Sequence, residues 1–580
     1  MTMYCPECGL KIDEKDVRFC PECGTEIEEF EQQDAMKMHS VESKEEMYAY
    51  GLIFTNVKKL AAKMNTEECT IKNLLENFID AKKSFGVSYQ LVDAGNYTYL
   101  KRNLLGLSKT VHLDESNELW DYMDILMDIH NYEQNKALPE SQYLFIIGGD
   151  DIIPMPCVRH YSTEVRDKSI DTDILYAYPY GSDMLSKLEN QQIFKYDQLF
   201  FVGRLPIAED TTLDDFYNHL ERNLQNSWGI PVTEAYGQCD PNWKNVSATV
   251  ATDLIENSLL RNFDGRLSGD CYFRRLILSP MVTAEDVHQI FHSDASLFYF
   301  NLHGGDAMES RGYFGAPLSA NGMYCTLLPE HMATCRVPNV VMCEACYGAR
   351  FIGMDKHHSM LLTSLYTASL LFVGSSRIAW GNVDPTHSIS GYTPVTPYFA
   401  DVIAMGFIGG LLSGYTAGQA MFLARSMVLN QDNEGMPNTA ATIVEFNLFG
   451  DPTLGLAVSD AAKSARKPID KSACKVKSAE FGCVMEKIEL NEGNSSGSIL
   501  QQVRRVVDQN LAQIHDMVSS YLYAQYGISP RQASTISRMK YVNGRQELSF
   551  CYEVSNEQIP VTYIVRTSEK GEIKSVITTK

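Results

Sequence analysis

The sequence predicts an α/β fold, a mostly parallel sheet with helices on both faces. Strand-like and helix-like stretches alternate along the middle of the chain: a strand at Tyr143, then Phe200–Val202, Leu213–Leu224, Val246–Leu260, strands at Ser296 and Val340, Ser359–Thr367 and a strand at Leu370. The strand-like stretches are short, apolar and β-prone. Two of them stop at a reactive side chain followed by glycine or small residues, as His303-Gly304-Gly305 and as Ala345-Cys346-Tyr347-Gly348. In a parallel sheet both side chains emerge at the carboxyl ends of their strands, where α/β proteins build their sites. A cysteine and a histidine so placed are the minimum equipment for thiol nucleophilic catalysis.

The elements follow in order. Cys5-Pro6-Glu7-Cys8-Gly9 and Cys20-Pro21-Glu22-Cys23-Gly24 are two copies of one knuckle. Each Cys-x-x-Cys turn offers two thiolates, and two turns complete a tetrahedral sulfur site, so residues 1–30 read as a zinc ribbon holding Zn2+ on Cys5, Cys8, Cys20 and Cys23. Four protein ligands leave no open position, which makes that zinc structural. Acidic residues outnumber Lys11, Lys15 and Arg18 there, so the ribbon is a poor nucleic-acid binder and is expected to dock a protein or another part of the chain.

Residues 31–137 read as a linker and a helical or α/β region. Glu28–Glu46 is polar, Met47–Phe85 shows a helical apolar pattern through Leu52, Ile53, Val57, Leu60, Leu74, Leu75, Phe78 and Ile79, and Leu119–Ile129 shows another. The α/β core spans residues 138–458. Lys463, Arg466, Lys467, Lys471, Lys475 and Lys477 then make a basic stretch inside a linker, residues 459–498. If the enzyme prefers basic residues, that stretch is a candidate for self-processing. Residues 499–580 read as a small α+β module: a helix over Ile499–Tyr526 and an antiparallel meander over Glu547–Val554, Pro560–Thr567 and Ile573–Thr578.

The core resembles the gingipain family of the caspase-like cysteine peptidases (clan CD). His303-Gly304 and Ala345-Cys346 match its two catalytic strand ends. Tyr143–Pro154 resembles its first core strand and turn, Thr172-Asp173-Ile174-Leu175-Tyr176 its Ser-Asp-x-x-Tyr element, and Phe201–Pro206 its Val-Gly-Arg strand. Leu371–Ser376 with Trp380-Gly381 resembles its late strand and tryptophan loop, and Phe446–Leu454 its closing Phe-Gly-Asp-Pro-x-Leu signature. Each motif is weak alone; their order is what makes the resemblance specific. A CHAT-type protease of a bacterial signalling or defence system, with the same dyad, is the looser alternative.

The resemblance implies a caspase-like fold and a Cys-His dyad. Cys346 is then the nucleophile, and His303 the acid-base group that protonates the leaving amine. The N–H groups of Gly304 and Cys346 would face the oxyanion. Cys343, inside the strand, is the rival thiol, which burial would keep inert. In arginine-selective members an aspartate of the Ser-Asp-x-x-Tyr element forms the base of the S1 pocket and a tryptophan walls it; by resemblance these are Asp173 and Trp380. The expected substrate is a protein with Arg or Lys at the cleavage site. Asp171 is the neighbour most easily mistaken for Asp173. His357-His358 reads as a surface pair.

Composition bounds the rest. A chain of 580 residues implies more than one domain. A net charge of −23 argues against nucleic acid and, weakly, for basic substrates. Met1–Pro6 opens straight into a cysteine motif without an apolar leader. Fifteen cysteines, mostly in apolar runs, suit a reducing cytoplasm. The apolar stretches Met360–Ile378 and Tyr398–Leu423 are punctuated by Ser, Thr, Gly and Asp401, and read as buried elements, so no membrane association is expected. The favoured function is an intracellular cysteine endopeptidase, regulated by processing or by a partner bound through the ribbon or the C-terminal module. A catalytically silent scaffold of the same fold is the competing class, and acyl transfer by the same dyad is a third reading.

Overall fold

The structure is a computed structural model. It describes residues 49–457 with breaks, the longest at 260–275, then residues 483–488, 499–526, 535–541, 546–554, 561–568 and 570–580; before residue 49 it describes 3–4 and 11–12. The four ribbon cysteines and the basic stretch Lys463–Lys477 lie outside the described residues.

Ten strands form the central sheet: β1 (Ala49–Thr55), β2 (Val87–Asp93), β3 (Tyr143–Ile147), β4 (Phe201–Leu205), β5 (Ala235–Cys239), β6 (Leu276–Leu278), β7 (Leu297–Asn301), β8 (Asn339–Cys343), β9 (Ser369–Ser375) and, after a short β10 (Trp380–Asn382) outside this sheet, β11 (Phe446–Gly450). Their spatial order is β6-β5-β7-β8-β9-β11-β4-β3-β1-β2. Every neighbouring pair is parallel except β9 and β11, which run antiparallel. The sheet is two parallel halves meeting head to tail, flanked by helices. The inner strands are buried along their whole length, as unbroken Val, Leu, Phe and Ile runs require. No helix among the described residues is long and apolar enough to cross a membrane.

The stretch Met47–Phe85 differs from its sequence reading. It opens with strand β1, and only then come the helices Val57–Lys63 and Glu68–Lys83. A short apolar run such as Leu52-Ile53-Phe54 fits a buried strand and a helix face equally well. Pairing decides: β1 lies between β2 and β3, with Leu52 opposite Leu144 and Ile53 opposite Phe145. The large sheet therefore starts well before residue 138.

The Phe-Gly-Asp-Pro ending does structural work. Asp451 is fully buried and sits 2.9 Å from the equally buried Lys82 ammonium of the helix Glu68–Lys83. Tyr89 of β2 donates to Asp451 at 2.5 Å, and Thr453 donates at 2.7 Å. Lys82 also donates to Asn223 and Ser227, each at 3.1 Å. Burial alone would push the Asp451 carboxyl up, but Lys82 and these hydrogen bonds outweigh it and hold the group below the ordinary range.

The C-terminal part packs the helix Ile499–Tyr526 against an antiparallel sheet. Its strands are β12 (Cys483–Ile488), β13 (Thr535–Tyr541), β14 (Gln546–Val554), β15 (Val561–Ser568) and β16 (Ile573–Thr579). β12 falls in the stretch read as linker and pairs with β13. The sheet order is β10-β16-β15-β14-β13-β12, so its last strand joins the module to β10 of the core.

Asp451→Ala leaves the Lys82 ammonium buried and unpaired, and the expected cost is about 3–5 kcal/mol of stability. Denaturant unfolding of the variant against wild type measures it.

Candidate active site

β7 and β8 are neighbours, with Phe300 opposite Cys343, so the residues that follow them emerge side by side. Past β7, His303 is fixed by two backbone hydrogen bonds with Phe314, 2.8 and 2.9 Å. Past β8 come Glu344, Ala345 and Cys346. Gly304 lies against the Cys346 carbonyl so closely that a Cβ there would collide with it. The glycine after the histidine is thus what lets the two strand ends meet.

Cys346 is buried. Ala379 donates its N–H to Sγ at 3.2 Å, and the Ala379 carbonyl lies 3.5 Å away. Burial pushes this thiol well above the ordinary cysteine range. His303 Nε2 lies 3.8 Å from Asp240 Oδ2, and its ring centroid is 4.4 Å from that of Trp243. Its Nδ1 has no hydrogen-bond partner among the described residues. Burial first, then the nearby Lys580 ammonium, lower the imidazole to about 3. Thiol and imidazole are both neutral in this state.

Asp240 is a member that the sequence reading missed. It follows β5, accepts from Asn242 at 2.8 Å and from Ala316 at 2.5 Å, and presents Oδ2 to His303. Its only signal was an acidic residue at a strand end, Cys239-Asp240-Pro241. Glu445, just before β11, has both carboxylate oxygens buried without hydrogen bonds among the described residues, and burial raises it well above the ordinary range. Cys343 lies inside β8, buried and pushed up to about 12, under Gly348 and beside Tyr313.

The cleft holds a segment of the chain itself. β16 pairs antiparallel with β10, Thr579 opposite Trp380 and Thr578 opposite Gly381. Lys580, next along, donates its N–H to Ala379 at 3.0 Å, and its main-chain carbonyl accepts the Cys346 N–H at 2.9 Å. Its side chain is buried. The ammonium is paired with Glu344 Oε2 and, at 2.5 Å, with Asp401 Oδ1, and lies 5.3 Å from the Trp243 ring centroid. Tyr299 donates to the other Glu344 oxygen at 2.7 Å, while Asn382 and Tyr398 donate their N–H groups to the other Asp401 oxygen at 3.1 and 3.2 Å. Gly381 forms one wall; a Cβ there would run into the lysine stem.

Residues 70–457 match the family model of peptidase family C25. The chain belongs to that family. C25 members are cysteine peptidases, and this chain is one. A second model, a zinc-ribbon domain, matches residues 4–27. No curated protein matches the chain. Among solved structures, the Arg-specific cysteine proteinase gingipain R is similar at 10% identity, covering 92% of this chain and 98% of its own, with a TM-score of 0.42. A structure described only as a protease gives 10%, 92%, 97% and 0.43. The Saccharomyces cerevisiae separase–securin complex gives 11% identity and a TM-score of 0.29 over 66% of this chain and 22% of that one. These distant likenesses carry no argument about the site.

Two specificity residues expected of this C25 peptidase stand elsewhere. Asp173 is not open to a substrate cation: Arg204, fully buried in β4, grips it with Nε–Oδ2 at 2.8 Å and Nη2–Oδ1 at 2.6 Å. The same guanidinium donates to the carbonyls of Gly148 and Ile153, each at 2.9 Å. The Val-Gly-Arg and Thr-Asp-x-x-Tyr motifs are thereby one structural pair that ties down the turn after β3. Asp171 is likewise paired, with Arg377 at 2.7 Å. The Trp380 ring packs with Phe399, Cys551, Ile564 and Ile577, against the C-terminal sheet. Alternation along β10 gives the opposite face, toward the lysine, to Gly381. His358 pairs with Asp355 at 2.7 Å, and His357 is exposed.

Asp173→Ala is expected to lose about 3–5 kcal/mol of stability by orphaning Arg204, without changing the residue preferred before the cleaved bond. Thermal unfolding together with cleavage profiling on a peptide library separates the two effects.

Proposed function

We propose that this C25 peptidase is an endopeptidase that cleaves after basic residues, with Cys346 as nucleophile and His303 as acid-base group. The observation that carries the reading is the Cys346 N–H hydrogen-bonded to the main-chain carbonyl of a lysine whose ammonium sits between two carboxylates. A substrate carbonyl in that position meets the oxyanion donors, the N–H groups of Cys346 and Gly304. His303 takes the Cys346 proton, and the sulfur attacks the carbonyl carbon. The C–N bond breaks as the imidazolium returns its proton to the leaving amine. Water, deprotonated by His303, then hydrolyses the thioester and restores the thiol. Asp240, whose Oδ2 lies 3.8 Å from Nε2, faces the positive charge that would form on the imidazole.

The ribbon reading supports one structural zinc on Cys5, Cys8, Cys20 and Cys23, in a segment suited to docking a regulatory protein. Among the described residues Cys69, Cys157, Cys325, Cys335, Cys343 and Cys346 form no disulfide, which supports a cytoplasmic setting.

Cys346→Ala is expected to abolish hydrolysis of peptides with a basic P1 residue, and His303→Ala to lower kcat by several orders of magnitude. Cys343→Ala is expected to retain activity. Steady-state assays of the three variants check the assignment; activity that survives Cys346→Ala and dies with Cys343→Ala refutes it. Freshly purified protein is expected to carry about one zinc per chain, lost on Cys5→Ser or Cys20→Ser and unaffected by Cys346→Ala. Elemental analysis decides that.

A further inference from the structure

We propose that the segment Ile573–Lys580, β16 and the residue after it, is a ligand bound in cis, holding the substrate cleft shut, and that the pocket it fills, built from Glu344, Asp401, Trp243 and Gly381, selects lysine over arginine. The inference rests on the peptidase reading and names the occupant and selectivity of that same site.

Three contacts place the segment as a substrate would lie. Its main chain extends the sheet through β10, the Lys580 carbonyl reaches the Cys346 N–H, and the Lys580 side chain fills a closed acidic pocket. The thiol is buried, with Ala379 N–H on its sulfur and the Lys580 carbonyl on its own N–H. The pocket is shaped for a point charge. Each carboxylate offers the cation one oxygen, Glu344 Oε2 and Asp401 Oδ1, because the other oxygen is already hydrogen-bonded by Tyr299 or by the Asn382 and Tyr398 amides. An ammonium uses two single acceptors from different directions, whereas a guanidinium fork needs both oxygens of one carboxylate to bond in its preferred way. Gly381 leaves room for the lysine stem, so the wall itself is matched to this side chain.

A tethered ligand at millimolar effective concentration that binds at tens of micromolar closes a cleft by roughly ten- to a hundredfold. The test compares full-length wild type with Lys580→Ala, and with Lys580→Met as the variant that keeps the pocket filled without the charge should Lys580→Ala not fold. Two readouts are used: iodoacetamide alkylation of Cys346 followed by peptide mass, and turnover of fluorogenic peptides ending in Lys or Arg. Expected results are alkylation and Lys-peptide turnover at least tenfold faster in the variant, and at least tenfold preference for Lys over Arg. Acetyl-Ser-Val-Ile-Thr-Thr-Lys, added in trans, should restore inhibition competitively, and its Ala-ended counterpart should not. Glu344→Gln or Asp401→Asn in the released variant should cost tens-fold in kcat/KM on Lys peptides. Equal alkylation rates in wild type and both variants overturn the occlusion, and a preference for Arg overturns the pocket assignment; in either case turnover that Cys346→Ala abolishes leaves the peptidase reading standing. Faster alkylation with no Cys346-dependent turnover on any peptide does the reverse: the strand occludes the thiol, and the peptidase reading falls.

Discussion

The antiparallel seam between β9 and β11 is the constraint on which the rest of the molecule depends. Everything on the β8 side of it runs one way and everything on the β4 side the other, so the ends of β7, β8 and β9 gather at one edge. There the residues after β8 rest on those after β9: Tyr347 N–H bonds to Arg377 O at 2.7 Å, Ala349 N–H to Ser375 O at 2.9 Å, and Ala379 N–H to the sulfur. The second loop is braced in turn from across the seam, Ser376 N–H bonding to Glu445 O at 3.0 Å. Cys346 is therefore positioned by the junction of two half-sheets rather than by its own strand alone.

Much of this was legible in the chain. Continuous apolar runs ending in His303-Gly304 and Ala345-Cys346 announced buried strands and the two groups they deliver, because a strand covered on both faces has no polar alternation to confuse the reading. Leu52-Ile53-Phe54 misled because three apolar residues fit either period, and only pairing with β3 settles the choice.

The residues around the buried lysine were harder for a physical reason. Asp173 and Arg204 stood out in motifs, yet their motif character comes from a buried ion pair that organises a turn, as with Lys82 and Asp451. Glu344 was hidden between Cys343 and Ala345, and Asp401 looked like a polar interruption of an apolar helix. Their meaning depends on Lys580, 236 and 179 residues away in sequence, brought in by a strand that no local pattern ties to the core. Asp240 was invisible for the same reason: it acts through a neighbour on another strand.

The pair Glu344 and Asp401 has a further consequence. One ammonium now neutralises two buried carboxylates, with Tyr299 and two amides absorbing the remainder. Take the ammonium away, and two acids stay face to face in a low-dielectric pocket, where like charges cannot both persist. Burial already pushes Glu344 above the ordinary range. On the lysine-pocket proposal, an emptied pocket would take up a proton at Glu344, and each arriving lysine would expel it. Departure of a cleaved product would then be a proton-consuming step, the pocket resetting between turnovers through the group that recognises the cation.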